Sequence, residues 1–172
     1  MVAYTFTTPG GFPGDITRHD FTTTTEVALT ANPPTAFGVA VTLDAATGAV
    51  RPIGTGDTAT TPITGIVVRS FPMQMATAPG PYGQTPLGQG NTPPSPPQPL
   101  DVLRRGGIRV AVVGASAKGG TVYIWTAATA APHIQGGFEA VNPTTNGFAL
   151  GANVTFNSPP DGNGTAELYF NL

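Results

Sequence analysis

Apolar residues recur at every second position along this chain and nowhere at helical spacing. In FGVAVTL, residues 37–43, Phe37, Val39, Val41 and Leu43 fall on one side, with Gly38, Ala40 and Thr42 on the other. From Phe21 onwards, Phe21, Val27 and Leu29 oppose Thr22, Thr24 and Glu26. Ile108, Val110 and Val112 alternate with Arg109 and Ala111, and Val122 and Ile124 with Tyr123 and Trp125. At the C-terminus Ala166, Leu168 and Phe170 alternate with Glu167, Tyr169 and Asn171. Side chains of an extended chain point to opposite faces in turn, so this period predicts strands with one buried face.

Glycine and proline supply the breaks. They account for 23 and 19 of the 172 residues, and both restrict regular pairing or favour turns. ANPP (31–34), DAATG (44–48), NPTTNG (142–147) and PPDGNG (159–164) are turn signals between strands. Further strands are expected in 49–53, 63–71, 133–141 and 152–157, giving about nine or ten in all, at intervals typical of sandwiches and small barrels. The polar stretch GASAKGG (114–120) is expected to turn 103–125 into a hairpin. The predicted class is all-β: a small β-barrel or β-sandwich, jelly-roll-like. It comprises an extended N-terminal arm (1–20) and one β domain (21–172), interrupted by a Pro/Gly-rich loop at 76–99. Eight of the 24 residues of that loop are proline and four are glycine, which forbids ladder pairing and favours a semi-extended rope.

Ionic groups are scarce. Charged residues make up 9% of the chain and the net charge is −2, against roughly 25% charged residues in an average soluble domain. No electrostatic field steers such a chain to nucleic acid or to an acidic membrane, so neither is an expected partner. A surface poor in charge and rich in Thr, Ala and Gly is easily desolvated, which points to burial by partner subunits. A neutral, Thr-rich secreted β-protein is the alternative. There is no cysteine, which excludes disulfides and thiol chemistry. The N-terminus lacks the pattern of a signal peptide. Assembly in the cytoplasm is therefore expected, and the two glycan-acceptor patterns at Asn153 and Asn163 read as chance.

Candidate chemistry is thin. The two histidines, His19 and His133, and the nine acids form no arrangement with catalytic or metal-ligand spacing. DGNG at 161–164 lacks the later ligands of a calcium loop and reads as a β-turn. No phosphate-binding loop or nucleophile elbow is present. Neither a cofactor nor an enzymatic activity is expected. Tyr123 and Trp125 share a strand face and keep receptor or glycan binding as the alternative function.

Several stretches together resemble one family. YTFTTPGGFPGDITR at the start, PPTAFGVAVTLDAATGAVRPI, GIVVRSFP, DVLRRGGIRVAVV with AKGGTVYIW, and the closing ELYFNL are similar to structural cement (decoration) proteins of tailed bacteriophages. The resemblance implies a small β protein on the outer surface of the capsid in the virion. It would bind the major capsid protein and itself, as a homotrimer or sometimes a dimer, with no catalytic residues; a virion adhesin or glycan-binding β module is the alternative. Expected contact residues are Tyr4, Phe6, Phe12 and Arg18 of the arm; Arg104, Arg105 and Arg109 of the presumed hairpin; and Tyr123 and Trp125. Arginine forms forked, charge-assisted bonds and is enriched at interfaces.

Overall fold

The computed structural model describes residues 11–17, 22–27, 32–69 and 99–171. The expected arm contacts Tyr4, Phe6 and Arg18, and the 76–99 loop apart from Pro99, lie outside the described residues. Ten strands are described: β1 (Thr22–Val27), β2 (Ala40–Leu43), β3 (Val50–Pro52), β4 (Gly65–Val67), β5 (Pro99–Val113), β6 (Tyr123–Trp125), β7 (Phe138–Glu139), β8 (Gly147–Ala149), β9 (Val154–Phe156) and β10 (Thr165–Asn171). One 3₁₀ turn at Thr144–Asn146 is the sole helical piece among the described residues. The all-β class holds.

The barrel does not. The sheet runs β3-β2-β4-β5-β7-β6-β8, with β1, β9 and β10 branching from it, and its ends do not meet among the described residues. The reason lies in β5. This 15-residue strand takes different partners at different points along its length. β1 and β4 flank its first half, β10 pairs with residues 105–111, and β7 pairs in parallel at Val112–Val113. Most other strands have two to four residues, too short to carry a continuous ladder around a closed cylinder.

The hairpin is also corrected. β5 and β6 are not paired neighbours, because β7 lies between them. The connection does turn tightly at Ala117–Gly120, where Gly120 N–H donates to Ala117 O (2.9 Å), but this turn does not bring β5 and β6 into a ladder. It leans on β9, where Gly119 N–H donates to Phe156 O (2.7 Å) and Thr121 bridges Thr155. Ser116 Oγ donates to Ser158 O nearby (3.3 Å).

Two apolar clusters form the core, and the β2–β4–β5 region separates them. Ala40, Ile66, Val68 and Leu103 enter one cluster; Val39, Val41, Val67, Leu100 and Val102 enter the other. Alternate residues of these strands are therefore buried on both faces, not on one as the period alone predicts. Thr42, on the face expected to be open, is 1% exposed, its hydroxyl donating to Pro62 O at 2.6 Å. Leu43 and Val27, expected inside, are 42% and 53% exposed.

β5 changes face midway. Leu100 and Val102 point to the second cluster, but Ile108, Val110 and Val112 point to the first. Strict alternation would place all of these even-numbered residues on one side. The irregularity lies between them: the β1 register shifts between Thr22 and Thr23, opposite Arg105 and Leu103, and Gly106 adopts φ +133°. A bulge of one residue reverses the facing of everything beyond it, and glycine reaches that φ without Cβ strain.

Candidate interaction surface

Most ionic groups of the described residues are engaged within the molecule. Arg51 holds Asp57 through both guanidinium nitrogens (2.7 and 2.8 Å), while Gly54 N–H donates to the same carboxylate at 2.7 Å. The fork lowers the Asp57 pKa, with the Gly54 amide adding to it against the opposing effect of burial. The same hydrogen bonds raise that of Arg51. Arg104 binds Glu26 at 2.9 Å and the Thr24 hydroxyl at 3.2 Å. Arg109 lies 3.9 Å from Asp161 and donates to Thr165 O at 3.3 Å. Glu167, opposite Arg109 in register, accepts from the Thr17 hydroxyl and from Asn157 Nδ2, each at 2.6 Å.

The described part of the arm lies on its own sheet. Gly14 N–H donates to Arg109 O (2.7 Å), Arg109 N–H to Asp15 O (2.8 Å) and Thr17 N–H to Gly107 O (2.9 Å). These bonds occupy the edge of β5 opposite β10. The arrangement presents Phe12, 61% exposed, with the Arg69 guanidinium 4.7 Å from its ring centroid, a cation–π distance. Beside it an open apolar groove is lined by Pro13, Ala36, Phe37, Ala111 and Ile134. Gly14 and Gly38 make this packing possible. Both have positive φ (+90° and +70°), and a Cβ on either would sit 2.8–2.9 Å from its neighbours.

On β6 and just before it, Val122 and Ile124 are buried while Tyr123 and Trp125 are half-buried, as the alternation predicts. The Trp125 ring stacks on His133 (centroids 4.0 Å apart, 12° between planes) and its indole N–H donates to Ala128 O (3.3 Å). His133 Nδ1 lies 2.8 Å from the buried Glu139 carboxylate. One face of Trp125 is thus already covered by the protein's own histidine.

The expected contact residues do not converge on one patch. Phe12 lines the groove, Arg109 lines another open pocket with Asp15, Thr17 and Glu167, Arg104 and exposed Arg105 sit where β1 meets β5, and Tyr123 and Trp125 lie on β6. Sequence reasoning passed over Arg69, the Arg51–Asp57 fork and the His133–Glu139 pair. The Arg69–Phe12 contact is set by tertiary folding, whereas Arg51–Asp57 and His133–Glu139 each lie six residues apart and offered a local signal. DGNG is the turn expected: Asp161 Oδ1 accepts from Asn163 N–H and Thr165 N–H at 2.9 and 3.0 Å. Among the described residues no group of three or more metal-ligating side chains is present.

A family model described as structural cement protein (E217 gp24/Pam3 gp6) matches residues 2–171. The chain belongs to that family. No curated protein matches it. Among solved structures, a chain from the capsid of Myoviridae phage XM1 is similar, with 18% identity and a TM-score of 0.68. That match covers 94% of this cement protein and 91% of the XM1 chain, and at such identity it establishes a shared fold.

Proposed function

We propose that this cement protein seats on the outer surface of a phage head, bridges neighbouring major capsid protein subunits and stabilises the shell without catalysing a reaction. The family match over residues 2–171 carries the capsid-stabilising role. The structure supports it physically. Arg51, Arg104 and Arg109 are tied to partners within the chain, leaving a surface of small and hydroxyl-bearing groups with exposed apolar points at Phe12 and Val141. Such a surface loses little hydration when covered. Many copies held on one lattice strengthen one another, since each bound site raises the effective concentration at the next.

Phe12 and Arg105 are the proposed contacts to test first. Arg109 is a poorer probe, because reversing its charge sets a glutamate opposite Glu167 within the fold. Expanded empty heads are mixed with the wild-type chain, Phe12→Ser and Arg105→Glu, then sedimented. The wild type co-sediments and raises the temperature at which the heads rupture, and both variants bind at least tenfold less. Equal binding by all three overturns the contact assignment. A folded wild-type chain that stays in the supernatant overturns the capsid role. Self-association is part of the proposal, with trimer and dimer as its two forms.

A further inference from the structure

We infer that Asn163 is a site of spontaneous covalent modification, converting through a cyclic imide to aspartate and isoaspartate and so placing a carboxylate on the wall of the apolar groove. No capsid is needed for it, and the isolated protein tests it. The chain has two Asn–Gly steps, Asn146–Gly147 and Asn163–Gly164. Glycine after asparagine leaves the next backbone nitrogen unshielded by a Cβ. At the second step the Gly164 nitrogen gives up its proton to hydroxide and attacks Cγ of Asn163. A new C–N bond forms, the Cγ–Nδ2 bond breaks, and Nδ2 takes a proton from water and leaves as ammonia. Water then opens the imide at either carbonyl. One opening gives aspartate. The other gives isoaspartate, with the backbone running through Cγ. The net change consumes a water and releases an ammonia, and nothing is oxidised or reduced.

Both asparagines are exposed, so access to solvent does not separate them. Their backbones do. Attack requires the peptide after the asparagine to rotate until its nitrogen faces Cγ. At the first step that peptide is clamped. Asn146 O accepts from Thr126 N–H (2.7 Å) and from the Thr126 hydroxyl (3.0 Å). Gly147 starts β8, in register with Trp125 of β6, and a Cβ there would collide with Ile124 O and the Pro143 side chain.

The second step is open. Asn163 lies between Gly162 and Gly164. Apart from chain neighbours, no atom stands within 4 Å of where a Cβ on either glycine would be. Gly164 has φ +72° and its N–H is held by Asp161 O at 3.0 Å. Flanking glycines take up the rotation without Cβ strain. The Asp161 carboxylate meanwhile ties the turn to its strand, accepting from Thr165 N–H (3.0 Å) and the Thr165 hydroxyl (2.8 Å). Asn163 lines the groove together with Phe12, Ala111 and Ile134. Its conversion exchanges a neutral amide for a charge there, which disfavours an apolar occupant.

The folded full chain is warmed below its melting temperature in mildly alkaline buffer and sampled over weeks. Cleavage at Phe148 and Phe156 separates the two sites for mass spectrometry, and an isoaspartyl methyltransferase labels the isoaspartate. Asn163 should convert about tenfold faster than Asn146 or more, because each further hydrogen bond that must break slows the attack. Ammonia release should match the converted fraction, and the rate should rise with pH. In urea the two sites should convert at similar rates. Asn163→Gln, whose longer side chain closes an imide ring poorly, should keep the wild-type melt and lose the label near the C-terminus. If that variant unfolds, the ratio of the two rates in the wild type decides. Conversion of Asn146 as fast as Asn163 in the folded chain would overturn the inference, as would conversion in urea alone. Label that persists in Asn163→Gln without a change of mass would also overturn it and assign the isoaspartate to Asp161–Gly162.

Discussion

The two halves of β5 solve different packing problems. The first half runs between β1 and β4, with Leu100 and Val102 buried in one cluster and Leu103 in the other, while Asp101 is half-exposed and Pro99 exposed. Residues 108–113 bury Ile108, Val110 and Val112 but leave Arg109, Ala111 and Val113 half-exposed. The difference shows that alternation marks a strand with one covered face and is silent once the second face is covered too. It also places the chain's adaptable surface on the second half, where the arm and the groove lie.

A charge on each half breaks the comparison most sharply. Val102→Asp buries a carboxylate in a wholly closed site and should cost more than about 4 kcal/mol, enough to unfold the domain. Ala111→Asp, on the half-open face of the second half, should keep a cooperative melt. Similar melting curves for the two would mean that the halves do not differ. The joint between them comes next. Gly106→Val forces a β-branched residue to φ +133° and should cost about 1–3 kcal/mol, read from the shift in urea midpoint at constant slope.

At the far edge of the first half, Asp57→Asn removes one side of the Arg51 fork and should cost about 1–3 kcal/mol at neutral pH. The pH dependence has a definite sign. Folding lowers the Asp57 pKa below its ordinary 3.8, so its contribution is fully present above that value and is lost as pH falls through the lower folded value. The difference in stability between wild type and Asp57→Asn should therefore narrow below about pH 4. The smallest effect belongs to Arg104→Ala. Its side chain is 40% exposed and that of Glu26 is 22% exposed, so the loss should stay below about 1 kcal/mol and shrink further in salt. A larger loss would make that pair a structural clamp between β1 and β5.

Legibility followed the same division. Strands with one covered face, such as Tyr123–Trp125 and Thr165–Asn171, showed their buried residues directly. The region around β2 misled, because Thr42 is satisfied by Pro62 O from another segment, a partner no local pattern reveals. GASAKGG looked like a hairpin turn because its composition is that of one. Its path along β9 depends on acceptors some 40 residues away in the chain. Of the expected contact residues, Phe12 and Arg105 are exposed, while Arg109 is engaged by its own fold.

By itself the sequence determined the class of structure, the positions of most turns and the shortage of ionic groups, because all three follow from local chemistry: side-chain direction, missing donors and composition. Only the tertiary structure decided which faces were doubly buried, that β7 would part β5 from β6, and which arginine met which carboxylate. Those outcomes depend on how close residues far apart in the chain come to lie, and on a single bulge near Gly106 that reverses the facing of half a strand.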